Sequence, residues 1–306
     1  ADAEHEWLTH TRASRRKEDG VRAIRTTREL AQTIRCETAD DSLNHSITNA
    51  RPLEFPQADL PIAPYTLGVW LGGGTSAAAH FTSADPEIAM YVEAEGYSAL
   101  SVGEQRFEIR HDDLGSVQAL LRREGLLNHK HIPSSYLRAC EAQRRALLAG
   151  LLDTDGTVTA SGSTQFTTTS ERLAENVREL ITTLGYRVSV ATKRVKGRTP
   201  ESSTAFTLTF TTHDVVFRLE RKQLLVKERM SGKSSVRHGH RFVTHVIPVA
   251  SVPVRCIEVE NDSHLYLAGR SMVPTHNSTL GVDIARAASI KHNLSSVIFS
   301  LEMSRN

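Results

Sequence analysis

The chain has 306 residues, of which 39% are hydrophobic, and its 37 basic and 35 acidic side chains give a formal net charge of +2. This length predicts two or three domains with buried cores, and the balanced charge excludes a chain that is basic or acidic throughout. No apolar run approaches the ~20 residues of a membrane-spanning helix, so we expect a cytoplasmic protein without a membrane partner. Three widely spaced cysteines without a CxxC pair argue against a disulfide framework.

Residues 1–58 are predicted to be mostly β. Short β-prone pieces such as HEWLTHT and HSITNARPLEF are separated by polar turns, and TTRELAQTI is the one helical stretch. Because the chain begins in what is predicted to be a strand, we expect it to be a fragment. The stretch LPIAPYTLGVWLGGG marks a boundary, since two nearby prolines stop regular structure before an apolar helix begins.

Residues 59–228 are predicted to form an α+β domain, because helical and strand patterns alternate along them. The clearest helices are SVQALLRREGL, SSYLRACEAQRRALLAGLLD and SERLAENVRELITTLG, and the clearest strands are TQFTTTS, RVSVATKR and TAFTLTF. KERMSGKSSVRHGHR is predicted to be a basic linker. Strand patterning then returns within residues 229–277, in FVTHVIPVASVPVRCIEVEN and LYLAG, so the β unit is predicted to be interrupted and resumed.

An internal repeat lies within the α+β region. LGVWLGGG, residues 67–74, can be laid over AGLLDTDG, residues 149–156, without a gap, which pairs Gly68 with Gly150 and Gly73 with Asp155. Small residues on one helical face predict two helices packed backbone to backbone, with both helix ends at one place. A carboxylate there could hold a divalent metal. A single copy would be interpreted as an ordinary capped helix.

LLAGLLDTDGTV is close to the signature of the LAGLIDADG homing endonucleases, and residues 60–225 resemble that family, with a degenerate first motif. The resemblance implies an endonuclease domain that acts on double-stranded DNA with Mg²⁺, in which Asp155 binds the metal. The family's first motif ends in an acidic residue where this chain has Gly73, so only one of two carboxylates is expected. Lys130 in HKHIP matches a lysine that often assists catalysis in the intein-encoded members; an ordinary surface lysine is the alternative.

The stretch 193–241 is strongly basic within a balanced chain, with 12 Lys and Arg against 4 Asp and Glu. Such a surface can neutralise phosphates, and RVSVATKR alternates like a strand of a sheet that lies on DNA. This favours DNA as the partner, and a solvated linker face is the alternative.

His276, Asn277 and Ser278 form a reactive sequence. An Asn side-chain amide can attack its own backbone carbonyl and cleave the following peptide bond, a neighbouring His can donate a proton to the leaving group, and a following Ser hydroxyl can accept an acyl group. The tripeptide alone is common, and an ordinary turn would then be the better interpretation.

The surrounding stretches VRCIEVENDSHLYLAGRSMVPTHNS and HEWLTHT resemble the C-terminal and N-terminal splicing motifs of inteins. The resemblance implies a mostly-β Hint-type splicing domain, in residues 1–58 and 229–277, interrupted by the endonuclease and needing no cofactor. The resemblance implies that His5 activates the first scissile bond, and that Cys256 stands where many inteins have an Asp that coordinates the two ends. At the C-terminal junction it implies that His264 assists cyclisation and that His276 is the penultimate histidine. Asn277 is then the residue that cyclises, and Ser278 is the downstream nucleophile.

Several features depart from the intein pattern. Asp2 stands where the family usually has Thr, and the Cys or Ser that begins an intein is not in the chain. A packed strand histidine is the alternative interpretation of His5, and a buried structural cysteine is that of Cys256.

Residues 278–306, STLGVDIARAASIKHNLSSVIFSLEMS and the two residues after it, resemble the ATPase core of replicative DNA helicases of the DnaB type. This implies the start of a RecA-like α/β domain, with Ser278 and Thr279 binding ATP and Mg²⁺, Glu302 as the catalytic glutamate, and a homohexamer on DNA. The apolar stretch alone is typical of any buried parallel strand. A free-standing LAGLIDADG protein that binds or cuts DNA, with an incidental His-Asn-Ser, is the alternative function.

Overall fold

The computed structural model describes residues 1–17, 20–38, 40–113, 115–195, 204–232, 238–252, 259–261 and 265–275. The helices are α1 (Arg12–Arg15), α2 (Thr27–Gln32), α3 (Pro64–Gly73), α4 (Pro86–Glu93), α5 (Val117–Arg123), α6 (Ser134–Leu137), α7 (Glu141–Asp155), α8 (Glu171–Thr183) and α9 (Glu220–Met230). The strands are β1 (Glu6–Thr9), β2 (Ala23–Thr26), β3 (Ser46–Thr48), β4 (His80–Thr82), β5 (Ser98–Gly103), β6 (Arg106–Arg110), β7 (Gly156–Val158), β8 (Thr164–Thr168), β9 (Val188–Arg194), β10 (Thr204–Phe210), β11 (His240–Phe242), β12 (Tyr266–Ala268) and β13 (Val273–Thr275).

The described chain forms two compact units. The first contains Ala1–Thr48 and the described residues from His240 onward, and the second is Asn49–Gly239. The chain is thus a mixture of helices and small antiparallel sheets, with one unit inserted into the other. Among the residues described, no helix is both long and apolar enough to cross a membrane.

In its described residues, the first unit has three antiparallel strand pairs. β1 pairs with β2, β3 pairs with β11, and β12 pairs with β13. The pairing of β3 with β11 joins the chain before the insert to the chain after it. Arg15 binds this region together, because its guanidinium donates to the carbonyls of His10, Leu43 and Asn44 and to the Ser46 hydroxyl.

The second unit has one large hydrophobic core around α3 and α7. The first half contributes the antiparallel sheet β4-β6-β5, and the second half contributes the antiparallel sheet β7-β8-β10-β9. Each half therefore supplies one motif helix and one sheet, and the two motif helices are the pair that the internal repeat predicts. Trp70 and Tyr65 of α3, with Phe81 of β4 and Phe166 of β8, are among the largest fully buried side chains.

Two predicted elements differ from the structure. The stretch SSYLRACEAQRRALLAGLLD is predicted as one helix but forms α6 and α7, because Arg138 ends the first helix and Cys140, in an extended conformation, begins the second. The first four residues of the predicted linker, KERM, belong to α9. They are helical because Lys222, Val226 and Met230 recur every four residues and are buried on one face.

The connector after β3 packs on the second unit. Leu53 donates its backbone N–H to the Thr183 carbonyl and accepts from Arg144, a fully buried residue whose guanidinium also donates to the carbonyls of Ala139 and Thr183. Three neutral carbonyl groups and the Phe55 ring thus surround one buried cation. The predicted domain boundaries at 58/59 and 228/229 stay predictions, and the compact units change at 48/49 and 239/240.

Three histidines lie around Ser46 in the first unit. The His10 and His240 rings meet edge to face with 4.9 Å between centroids, and His240 Nδ1 lies 3.3 Å from the Ser46 hydroxyl. Desolvation, with His10 and Arg15 nearby, lowers the pKa of His240 to about 4. Desolvation likewise lowers the pKa values of His10 and His45, with support from neighbouring arginines.

We expect the first unit to lose stability as the pH falls from about 6.5, the ordinary histidine pKa, toward the His240 pKa of about 4. In this window the unfolded chain binds protons that the folded chain does not, so acid favours unfolding. A His240→Gln variant should show a smaller loss in the free energy of unfolding over the same window, measured by denaturant titration at each pH. His245→Gln, at an exposed position in the same unit, is the control; an equal effect from both variants would contradict the assignment.

Candidate functional site

Helices α3 and α7 pack with their backbones in contact at two glycines. A Cβ atom added to Gly68 would lie 2.3 Å from the Leu147 carbonyl oxygen, and one added to Gly150 would lie 2.2 Å from the Tyr65 carbonyl oxygen. The two glycine Cα atoms face each other, since each added Cβ would lie 3.0 Å from the opposite Cα. The packing predicted from the repeat is therefore what the structure has, and no larger side chain fits without moving a helix.

The C-terminal ends of the two helices lie together, and they differ chemically. Asp155 is the last residue of α7, whereas Gly73 ends α3 at the equivalent position. A Cβ at Gly73 would lie 2.9 Å from the Thr82 carbonyl oxygen and 3.3 Å from Thr154 Cβ. Gly73, which the repeat aligns with Asp155, is thus packed closely against the neighbouring strand and helix.

Lys130 lies at this place. Its ammonium group donates to the carbonyls of Leu71, Gly72 and Gly74 at 3.0, 3.3 and 2.7 Å, which are the carbonyls left open at the end of α3. Burial lowers the pKa of Lys130 to about 8, and the Asp155 charge opposes this shift. The side chain is half-buried, and its charge is held at a helix terminus where it interacts with that of Asp155, while its catalytic role stays a prediction.

Sequence reasoning missed a second lysine with the same geometry. Lys222, on the first turn of α9, donates to the carbonyls of Leu152, Asp153 and Gly156 at the end of α7 at 2.9, 2.7 and 2.7 Å. Desolvation lowers its pKa, and Asp153 is the main group opposing that shift. The two lysines stand 92 positions apart, while the motif helices stand 82 apart in the repeat, so a gap-free alignment could not find the pair.

Asp153 determines where α9 begins. This buried carboxylate accepts from the backbone N–H groups of Arg218 and Leu219 and from the Tyr65 hydroxyl. Leu219 is the residue just before α9, so Asp153 fixes the helix that carries Lys222. Burial raises the pKa of Asp153, and these hydrogen bonds act against the shift.

Asp155 opens into a cavity of ≈ 550 Å³. Its other polar lining residues include Lys130, His129, Asn128, Arg172 and Ser76. Desolvation raises the pKa of Asp155, while the charges of Lys130 and Lys222 act to lower it. The cavity therefore combines one carboxylate with lysine and arginine cations, a lining that suits an anion such as a DNA phosphate.

The carboxylate geometry does not fit a metal site supplied by the protein alone. In the described part of the chain, no cluster of three or more His, Cys, Asp or Glu side chains could hold a metal ion. Asp155 has no acidic counterpart at Gly73, and ordinary two-ion sites for cutting phosphodiesters need ligands on both sides.

The four-stranded sheet presents a polar face beside this site. Gln165 and Thr167 of β8 stand opposite Thr209 and Thr207 of β10, with side-chain hydrogen bonds of 3.0 and 3.1 Å across each pair. The other sheet face is apolar, with Phe166, Leu208 and Phe210 buried. Amide and hydroxyl groups on a sheet of this kind can contact base edges.

The basic side chains of residues 193–241 have different structural roles, which the composition of this stretch does not show. Lys193 and Arg194 of β9 are exposed, although as consecutive strand residues they point to opposite sides of the sheet. Other basic side chains serve the fold instead: Arg221 pairs with Asp85, Lys222 binds helix carbonyls, and Arg229 donates to the carbonyls of Val158 and Thr159. The charge count of the sequence therefore overstates the phosphate-binding surface.

In the first unit, His5 lies next to the strand that ends at the His-Asn-Ser sequence. Its Nε2 atom is 2.9 Å from the hydroxyl of Thr275, the last described residue before His276. The other predicted site residues of the splicing and ATPase regions lie outside the described residues and stay predictions: Cys256, His264, His276, Asn277, Ser278, Thr279 and Glu302.

We expect Gly150→Ala to destabilise the second unit, because its methyl group would overlap the Tyr65 carbonyl oxygen. Overpacking of this kind costs about 1–3 kcal/mol in the free energy of unfolding. Gly103→Ala, where the nearest atom to an added Cβ is 4.0 Å away, should change stability by less than about 0.5 kcal/mol. Thermal unfolding of both variants checks this prediction. Equal melting temperatures for the two variants would show that α3 and α7 can move apart to accommodate the methyl group without a loss of stability.

Comparison with known proteins agrees with this geometry. Residues 142–229, which include all of α7 except its first residue, match the model of the LAGLIDADG-like domain. The whole chain is 54% identical over 319 aligned residues to replicative DNA helicase DnaB of Mycobacterium intracellulare, and spans 53% of that protein. Replicative DNA helicase DnaB of Mycobacterium leprae (strain TN) is 74% identical over 84 residues, which cover 24% of this chain and 14% of that protein.

The chain spans about half the length of the M. intracellulare relative that it matches throughout. The domain match falls inside that alignment, so the endonuclease-like region and the helicase similarity belong to one continuous homologous stretch. The chain therefore contains a LAGLIDADG-like domain and is homologous along its whole length to a replicative DNA helicase DnaB, consistent with an intein-containing fragment of such a helicase.

Proposed function

We propose that residues 1–277 are part of an intein within a DnaB-type replicative helicase, and that this intein carries out protein splicing through Asn277. The observation that carries the proposal is the hydrogen bond between His5 and Thr275, which places the predicted N-terminal splicing histidine beside the strand leading into His276. A LAGLIDADG-like domain between these two segments supports the same organisation. The first unit would then be the Hint-type splicing domain.

In the proposed reaction, the upstream chain is first held as an ester or thioester on the first residue of the intein. The Ser278 hydroxyl attacks that carbonyl, takes over the acyl group and releases the first side chain as its thiol or hydroxyl. The Asn277 side-chain nitrogen then attacks its own backbone carbonyl. A succinimide forms, the bond to Ser278 breaks, and the proton lost by the amide appears on the Ser278 amine; His264 and His276 would assist this transfer.

The upstream acyl group then moves from the Ser278 oxygen to the freed Ser278 amine, which forms the peptide bond and regenerates the hydroxyl. Splicing in this scheme needs no cofactor and restores the host protein. Ser278 would become the hydroxyl residue of a P-loop, next to Thr279, for ATP with Mg²⁺, and Glu302 would position the attacking water. Before splicing, the insert separates Ser278 from the preceding part of that loop, so the helicase would be inactive. The spliced host would be an ATP-dependent helicase, expected to act as a homohexamer on DNA in the cytoplasm.

The inserted domain is proposed to bind double-stranded DNA and to cut it poorly. Support for binding comes from the cavity of Lys130, Arg172 and Asp155 and from the polar sheet face beside it. Support for weak cutting comes from Gly73, which leaves Asp155 as the one motif carboxylate at the helix ends. Cutting both strands with Mg²⁺ should require carboxylates at both ends.

We expect the purified chain to bind a DNA duplex carrying the uninterrupted host gene junction, but to nick at most one strand in the presence of Mg²⁺. Asp155→Asn should remove residual nicking while binding is retained, because it removes the remaining motif carboxylate and leaves the sheet face intact. Gel analysis of a supercoiled plasmid separates nicked from linear product. Efficient conversion to linear DNA by the unmodified chain would contradict the proposal.

Gly73→Asp tests whether the absent carboxylate is the cause of the weak DNA cleavage. It should raise cleavage, at some cost in stability, since its Cβ would lie 2.9 Å from the Thr82 carbonyl oxygen. Gly73→Asn, which has nearly the same shape without the charge, is the matched control. Equal cleavage by the two variants would mean that the carboxylate is not the missing part.

We expect the chain by itself to release residues 278–306 slowly, because cyclisation of Asn277 needs only local groups. Asn277→Ala removes the nucleophilic amide and should abolish release, as detected by mass spectrometry of the incubated chain. If the alanine variant releases the fragment equally well, Asn277 does not cyclise, and the free-standing DNA-binding alternative becomes the better interpretation.

A further inference from the structure

Thr275 is a buried hydroxyl at the end of the chain's last described strand. It is 6% exposed and stands opposite Tyr266 in the pairing of β13 with β12. Its hydroxyl meets His5 Nε2 at 2.9 Å, although the two residues are 270 positions apart. The next two residues along the chain are His276 and Asn277.

His5 is held on its other sides. Its carbonyl accepts from the backbone N–H of Thr27 at 2.9 Å and from the Thr27 hydroxyl at 3.3 Å. Its ring packs against the Trp7 ring with 4.6 Å between centroids, and the Trp7 indole N–H donates to the Thr27 hydroxyl at 3.0 Å. These contacts therefore hold the imidazole in position next to Thr275.

Thr275 is also restricted. A β-branched residue in a strand has few allowed χ1 rotamers, so its hydroxyl direction is coupled to the strand backbone. A hydrogen bond to His5 consequently fixes both the imidazole and the strand end that precedes Asn277 in the sequence. An intramolecular attack such as Asn cyclisation depends strongly on how well the reacting groups are held.

We propose that Thr275 is a positioning residue, whose hydrogen bond to His5 holds the chain just ahead of Asn277 and so couples the N-terminal histidine to the C-terminal junction. The inference rests on the proposed splicing function and adds a residue to it. In this arrangement His5 contributes to cleavage after Asn277 through Thr275, in addition to its predicted role at the first scissile bond.

The test compares Thr275→Val with Thr275→Ser in the full chain. Valine keeps the branched shape and loses the hydroxyl, whereas serine keeps the hydroxyl. Release of residues 278–306 should be about 3- to 10-fold slower in the valine variant, in line with the loss of one hydrogen bond, and within about 2-fold of the original rate in the serine variant. Thr244→Val, at an exposed threonine in the same unit, should leave the rate unchanged.

His5→Phe supplies the partner measurement, because a phenyl ring can stay against Trp7 while the ring nitrogens are lost. If the two residues act through one bond, the double variant His5→Phe with Thr275→Val should be no slower than either single variant. Multiplicative effects of the two changes, or a valine variant that releases the fragment at the original rate, would overturn the inference.

A spectroscopic readout does not depend on cleavage. The ¹⁵N shifts of the His5 imidazole should change in Thr275→Val and return in Thr275→Ser, because the hydroxyl selects the tautomer. An unchanged spectrum in the valine variant overturns the inference whatever the rates. Asn277→Ala keeps the two questions apart: continued release in that variant defeats the splicing proposal, while the His5 spectrum still decides whether Thr275 positions the imidazole.

Discussion

The close approach of α3 and α7 at Gly68 and Gly150 is the constraint on which the second unit depends. Because Gly68 and Gly150 lie five residues before the last residue of each helix, their contact brings the two helix ends close together, and the groups at the candidate DNA site are placed by those ends. The approach leaves no space for a Cβ on either glycine, so only glycine fits at these two positions. The contact also stabilises the helix pair. The core of both halves is then built around this pair.

Helix ends brought together in this way expose carbonyl groups that need partners. Lys130 and Lys222 supply them, one for each helix, each with three carbonyl contacts. The two halves thus keep matching cations while their carboxylates differ, since Asp155 has only Gly73 opposite. Burial keeps the lysines close to Asp155 and shifts all three pKa values toward the neutral forms. The two lysines therefore surround Asp155 with positive charge although the first motif has no acidic residue.

The first unit is organised by polar contacts between residues that are distant in sequence. Arg15 joins three carbonyls and a hydroxyl around β3, and the His5 imidazole meets Thr275 across almost the whole chain. Since the sheets found in the described part of this unit are two-stranded, such contacts specify which segments lie together. They are directional, so they can also orient reactive groups, which apolar packing alone does less sharply.

The sequence by itself determined the local elements and the repeat. Alternation and capping residues located α8, β8, β9 and β10, and the glycine spacing of residues 67–74 and 149–156 predicted the helix pair and the contrast between Gly73 and Asp155. These features could be predicted because each depends on residues that are close in the sequence or on a repeat that aligns without a gap. Cys140, which splits one predicted helix in two, shows the limit, because its extended conformation leaves no strong local signal.

Only the tertiary structure decided which basic residues belong to a site. Lys222 and Lys193 are both lysines in one basic stretch, yet the first is buried against the carbonyls of α7 and the second is exposed on β9. Likewise, nothing near His5 in the sequence points to Thr275. A side chain's partner is set by chain segments that meet in space, and the energy of a hydrogen bond or a buried charge depends on that partner and on exclusion of water, neither of which is encoded locally.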